Sequence, residues 1–193
     1  MPPTDLIKIK QIDASKIAEM IDLSDDAKLL LKTDTLTSSY LYQLIEKKMY
    51  VDAVRFLAAA LPKREAVWWA CLCNRDVLND SSHPSEKMAI ESAEAWVFKP
   101  TEENRKPNFL TAENATLQTS AGWVAMGTFW SGGSISPVEN TIVQPAEDLT
   151  AKAVSGSVML AAVSGSPEKI EAYYPLFLKR GMSIADGGDG RDV

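Results

Sequence analysis

Apolar residues recur at helical spacing along most of this chain, and strict alternation is confined to its beginning. Leu6-Ile7-Lys8-Ile9-Lys10 alternates for a few positions and reads as a short strand or an ordered arm within residues 1–12. Ile17, Met20 and Ile21 then share one helical face. Ser24 before Asp25 and Asp26 reads as an N-cap with acids at the positive end of a helix dipole. From Thr37 to Lys48 the stripe Leu41, Leu44, Ile45 has i, i+3, i+4 spacing, with Tyr40 beside it. Met49-Tyr50 leads at once into an apolar face of Val51, Val54, Phe56, Leu57 and Ala60, which predicts a tight αα-hairpin.

Proline punctuates the next elements. Pro62 suits the first turn of a helix running to about Val77, because an N–H is unpaired there in any case. Pro84 opens a second helix after the turn Asn79–His83, with a predicted buried stripe of Met88, Ala89, Ala93, Trp96 and Val97. That helix should stop near Lys99, since the residue before Pro100 is pushed out of the α region. Thr101 to Pro107 is polar and reads as exposed. One long helix is predicted from about Thr111 to Trp130, ended by Ser131-Gly132-Gly133-Ser134. Ile135 to Pro145, with two prolines and little periodicity, reads as a loop.

Asp148 caps a second helix rich in small residues, Leu149 to Val163. Its Gly156 costs about 1 kcal/mol relative to alanine, which a close helix–helix approach would justify. These two small-residue helices should therefore pack on each other or on the Pro62 helix. Ser166-Pro167-Glu168 starts the last helix, with Ile170, Tyr173, Tyr174, Leu176 and Phe177 on its apolar face and Pro175 as a candidate kink. Asp186-Gly187-Gly188-Asp189-Gly190 begins a tail, residues 186–193, that reads as disordered. The resulting expectation is an all-α, single-domain orthogonal or layered bundle of about seven to nine helices over residues 13–185. No self-similarity recurs at the roughly 30- to 45-residue period of a helical solenoid.

Composition narrows the functional classes. At 193 residues, 46% hydrophobic and 24% charged, this is one ordinary globular domain. A net charge of −6 and the absence of a sizeable basic cluster argue against nucleic acid as a partner, since binding needs cations to displace phosphate counterions. The longest apolar runs, Phe56–Leu61 and Val158–Val163, fall far short of the roughly 20 residues of a membrane span. No basic region joins an apolar run at the N-terminus, so a cytoplasmic protein is the expectation.

The most specified stretch is Leu61-Pro62-Lys63-Arg64-Glu65-Ala66-Val67-Trp68-Trp69-Ala70-Cys71-Leu72-Cys73. Lys63 and Arg64 stand near a helix N-terminus, where cations oppose the macrodipole. They should pair with carboxylates of neighbouring helices, such as Asp52, or else present charge to a partner. Trp68 and Trp69 lie about 100° apart around the axis. Burial of both is the expected outcome, with one exposed as an interface anchor the alternative. Most of the other tryptophans, Trp96, Trp123 and Trp130, should be core. Cys71 and Cys73 point about 200° apart, so they neither bridge nor converge on one metal ion, and they read as buried free thiols. His83 is the only histidine, which removes the usual zinc sites, and it reads as a surface turn residue. The glycine loop at 131–134 follows a helix rather than preceding one, the wrong end for cradling an anion. Neither a catalytic set nor a cofactor or metal site emerges.

Ala53 to Cys73, together with Ala93-Glu94-Ala95-Trp96-Val97 and Trp130-Ser131-Gly132-Gly133-Ser134, resembles an uncharacterised family of small bacterial proteins. The Leu-Pro-Lys-Arg-Glu-Ala-Val-Trp-Trp-Ala block is its most specific part, and the likeness spans about Leu36 to Ala185. Some such proteins lie near protein-secretion genes. The resemblance therefore implies an accessory or adaptor protein of a type VI or type IVB secretion machine, and it brings no catalytic residues with it. The functional expectation is a non-enzymatic protein that binds another protein, a secretion component or a secreted substrate. Lys63, Arg64, Glu65, Trp68, Trp69 and Trp96 are its candidate organising residues. The alternative is a small-ligand binder or enzyme whose pocket is lined by Lys63, Arg64 and Glu65 and walled by tryptophan.

Overall fold

The computed structural model describes residues 6–136, 141–164 and 167–193. Over these the chain is all-α, and its β pairing is a single isolated bridge between Asp13 and Leu36. The elements are α1 (Ala14–Ala18), α2 (Asp25–Leu30), α3 (Thr37–Glu46), α4 (Tyr50–Ala60), α5 (Lys63–Val77), α6 (Pro84–Phe98), α7 (Glu102–Arg105), α8 (Pro107–Ala115), α9 (Ser120–Phe129), α10 (Leu149–Val163) and α11 (Pro167–Ala185). They form one densely packed helical domain.

Local chemistry accounts for the boundaries. Ser24 accepts from the Ala27 N–H and begins α2, as its sequence position predicts. The αα-hairpin of α3 and α4 closes through Lys48, whose φ is +58°. Its N–H donates to the Ile45 carbonyl and that of Met49 to the Leu44 carbonyl, the paired bonds of a Schellman turn. His83 is exposed and caps α6, with Nδ1 3.3 Å from the Ser85 N–H while Glu86 reaches back to the His83 N–H at 3.2 Å. Ordinary capping thus accounts for the one imidazole in the chain. The opening residues form an ordered arm rather than a strand. Leu6 is buried, and the Lys8 N–H donates to the Ala185 carbonyl. Residues 1–5, part of the loop at 135–145 and the expected Ser166 cap lie outside the described residues.

Helix α5 is the axis of the domain, with α6, α9, α10 and α11 packed around it. Trp69 through Asn74 are buried without interruption, and Trp69 is sealed completely. The Trp69 indole donates to the Phe177 carbonyl of α11 at 2.7 Å. Asn74 donates to Ser157 Oγ, which donates in turn to the Ser120 carbonyl, both at 2.8 Å. That relay ties α5, α10 and α9 together where their small residues bring them close. Cys71 and Cys73 are free and buried, and burial pushes both thiols well above their ordinary range.

Several expectations need correcting. The predicted helix from Thr111 to Trp130 is two helices. Thr116 has φ +64°, and Thr119 caps α9 by accepting from the Gly122 N–H at 3.0 Å. Gly122 itself permits the break, because a Cβ there would stand 1.9 Å from the Thr116 carbonyl oxygen. Met88 is not in the buried stripe of α6; it is largely exposed, and Ile90 takes the inward position. The polar stretch 101–107 contains α7 and buries Arg105. This guanidinium pairs with Glu102 at 2.6 Å, donates to the Phe129 and Ser134 carbonyls, and lies 5.0 Å from the Phe129 ring centre. Gly133, at φ +59°, passes over this pair with no room for a side chain. The glycine-rich tail is packed rather than disordered. Arg180 forks onto Asp76 and also donates to the Gly190 and Arg191 carbonyls, and Gly190 is buried. Helix α11 continues through Pro175 to Ala185.

Candidate functional site

The start of α5 divides its charged triplet between two faces. Pro62 opens the helix without a side-chain cap, and the three following side chains diverge by about 100° per residue. Lys63 turns toward α10, where its ammonium stands 3.4 Å from Glu147. Arg64 turns toward α6, where its Nε donates to the Val97 carbonyl at 2.6 Å. Glu65 lies 3.7 Å from Lys8 of the N-terminal arm. Asp52, the expected partner, is engaged elsewhere: its buried carboxylate accepts from the Ser24 N–H and hydroxyl, both at 2.8 Å. It thereby pins the start of α2 to α4 and is unavailable to the triplet.

The tandem tryptophans divide in the same way. Trp69 is core, whereas Trp68 is half-buried at the domain edge, so burial of both is not what the fold does. The Trp68 indole N–H donates to the Asp189 carbonyl of the tail at 2.8 Å, and the Arg191 guanidinium lies 5.0 Å from its ring centre. Phe98, the last residue of α6, sits 5.8 Å from Trp68 and is 65% exposed. Trp96 is buried and belongs to the core. Trp123 and Trp130 are half-buried against each other at 6.5 Å.

Two surface recesses flank this helix start. One, of about 330 Å³, is lined by Arg64, Glu65, Trp68, Phe98, Lys8 and Arg191. The other, of about 360 Å³, holds Lys63 with Glu147, Asp148 and Thr150. Lys63, Arg64 and Glu65 therefore do not share one tryptophan-walled pocket. In the first recess the guanidinium groups of Arg64 and Arg191 have no carboxylate within 4.0 Å among the described residues, although the chain as a whole is acidic and the Arg191 backbone N–H donates to the Asp189 carboxylate at 2.9 Å. Phe98 and Arg191 were not among the residues that the sequence singled out. Phe98 follows the buried Trp96 by two positions, which on a helix sends it to the opposite face, so an exposed aromatic was legible there. Arg191 lies in the tail and carried no such signal. Among the described residues, no group of three or more His, Cys, Asp or Glu side chains is placed to hold a metal, and no helix is long and apolar enough to cross a membrane.

The chain belongs to DUF6931, a family of unknown function, whose model matches residues 40–185. The match takes in the Leu61–Cys73 block and every helix from α4 to α11. No curated protein and no solved structure matches the chain.

Proposed function

We propose that this chain is a protein-binding accessory subunit and that the Trp68–Phe98 recess is its contact. One observation carries the reading: an exposed phenylalanine and a half-buried tryptophan stand beside two guanidinium groups without carboxylate partners. Tryptophan and arginine dominate binding hot spots because they combine large apolar area with fixed polar geometry. The recess is open at the surface, and neither cysteine reaches it, since both are sealed in the core. Its chemistry fits a partner segment with an apolar anchor for the Trp68–Phe98 pair and carboxylates for Arg64 and Arg191. A component or substrate of a bacterial secretion machine is the partner class that the sequence resemblance supplies.

Phe98→Ala combined with Arg64→Glu tests this without disturbing the core, since both side chains are exposed. The wild-type protein, recovered from its native cell after cross-linking, should bring down a protein that the double variant does not. A secretion component in that position would support the narrower assignment. If the two captures are identical, the recess is not the contact.

A further inference from the structure

Arg191 stands where a partner's apolar anchor has to go. Its guanidinium lies over the Trp68 ring, 5.0 Å from the ring centre, and both residues line the same recess. We propose that Arg191 is a gate on Trp68 that a carboxylate opens, so that the recess takes an apolar side chain only from a partner segment carrying an acid beside it. This rests on the reading of the recess as a partner contact. It adds the residue pair that the partner must present and the reason the two are needed together.

The ring and the main chain beside the gate are both fixed. The Trp68 indole N–H donates to the Asp189 carbonyl at 2.8 Å, which holds the ring by its edge. Arg180 is forked onto Asp76, and its Nη1 donates to the Gly190 and Arg191 carbonyls at 2.7 and 3.0 Å. The Arg191 N–H donates to the Asp189 carboxylate at 2.9 Å. Gly190 is buried against Ile184 and Leu72 with no room for a side chain. The Arg191 side chain is exposed and is the part left free to swing. A cation–π contact at an exposed site holds it over the ring, and such a contact is weak. A forked, charge-assisted bond to a carboxylate is stronger and more directional.

The charges of the lining set the sign of what opens the gate. Lys8, Arg64 and Arg191 stand there with Glu65 and Asp189, an excess of cations in a chain of net charge −6. Lys8 is 3.7 Å from Glu65, and the Asp189 carboxylate is engaged by the Arg191 N–H. The two guanidinium groups are therefore the charges left to meet a ligand. Phe98, exposed and 5.8 Å from Trp68, forms a second aromatic wall. Once Arg191 turns to the acid, the Trp68 face and Phe98 lie open together to the neighbouring apolar side chain.

The capped dipeptides acetyl-Asp-Phe-amide, acetyl-Asn-Phe-amide and acetyl-Asp-Ala-amide serve as probes, titrated into the full chain and read at the Trp68 indole N–H by NMR. The Asp-Phe peptide should bind about fivefold more tightly than Asn-Phe, the worth of exchanging a neutral hydrogen bond for a charged one. The Asp-Ala peptide should lose at least as much with its anchor. Arg191→Ala separates a gate from a plain contact, and the tail stays seated because its bonds to Arg180 are made by the main chain. With the cover gone, this variant should bind the neutral Asn-Phe peptide about threefold more tightly than the wild type does. Its preference for Asp over Asn should fall by about half or more, since Arg64 alone then meets the acid. A merely structural role for Arg191 would weaken both peptides alike. Asn-Phe binding that Arg191→Ala does not tighten, an Asp preference that it keeps in full, or no saturable shift of the Trp68 indole up to about 20 mM peptide would each overturn the gate. Capture with the Phe98→Ala, Arg64→Glu variant decides the wider reading by itself. A partner lost there, with Asn-Phe binding unmoved by Arg191→Ala, keeps the contact and removes the gate. Identical captures beside the expected peptide results keep the gate and remove the cellular partner from this recess.

Discussion

Gly156 and Gly181 both lie inside helices, α10 and α11, and replacing either by alanine removes the same backbone-entropy penalty, about 1 kcal/mol. Their surroundings set the two substitutions apart. A Cβ at Gly156 would meet the Trp123 ring at 3.7 Å, an ordinary van der Waals contact. Gly156→Ala should therefore stabilise the protein by roughly 0.5–1 kcal/mol. A Cβ at Gly181 would stand 2.6 Å from Leu57 Cδ2, 2.9 Å from Trp69 Cε2 and 3.0 Å from Trp69 Nε1. Leu57 and Trp69 are both fully buried, and the indole is held by its bond to the Phe177 carbonyl. Neither can retreat without opening the core of α5. Overpacking of this kind costs about 1–3 kcal/mol, and displacing the indole forfeits about 1 kcal/mol of hydrogen bond. Set against the propensity gain of about 1 kcal/mol, Gly181→Ala should destabilise by roughly 1–3 kcal/mol.

The two variants should thus move in opposite directions and differ by about 1.5–4 kcal/mol, which is roughly 3–16 °C in Tm for a chain of this length. Urea unfolding followed by tryptophan fluorescence measures both midpoints, and an altered native emission in Gly181→Ala alone would report the displaced Trp69 ring. If both substitutions stabilise, α11 is not seated on Trp69 as described, and the account of α5 as the axis of the domain fails with it.

Arg105→Met strands the Phe129 and Ser134 carbonyls and should lower stability by about 3 kcal/mol, seen as an earlier urea midpoint. The Glu102 carboxyl is held below its ordinary value of 4.5, chiefly by its hydrogen bonds from Arg105. Its contribution is therefore complete above the ordinary carboxylate range and is lost as pH falls through the lowered value. A Tm series across that acid window should fall more steeply for the wild type than for Glu102→Gln. Cys71 and Cys73 should resist a thiol reagent such as DTNB in the native protein and react together on unfolding, since burial removes both access and thiolate.

Helical periodicity conveyed the fold class and the core faces of α3 and α4, apart from Val51, which the α4 stripe included and which is exposed at the start of that helix. It could not separate α8 from α9. The apolar spacing continues in phase across the break, and the break depends on one left-handed residue, Thr116, and on the Thr119 hydroxyl as cap. Gly156 suggested a close helix–helix approach, and α9 does pack on α10, but the tight point is Gly127, where a Cβ would come within 3.0 Å of Ala153. A glycine in the sequence declares a missing side chain and says nothing of what stands opposite. Arg105 escaped notice for a related reason. Its stretch is polar, and only the fold shows that the Phe129 carbonyl at the end of α9, the Ser134 carbonyl and Glu102 converge on it. The signal that was available, Thr101 before two glutamates, marks the start of a helix and not the burial of its last residue.

The Leu61–Cys73 block shows why a specific sequence pattern and a legible function need not coincide. From Trp69 onward its residues are fixed by contact with four other helices, and that demand is enough to make the pattern distinctive. Side chains that face only the core constrain the fold and leave the partner free. The residues able to meet another molecule are the four at the mouth of the helix, Lys63, Arg64, Glu65 and Trp68, and they diverge into two recesses rather than converging on one. Each recess is completed by elements distant in sequence: Phe98 and the tail on one side, the start of α10 on the other. The family model spans the whole block, buried and exposed parts alike. On the reading proposed above, recognition is decided by how α6 and the tail meet its first turn.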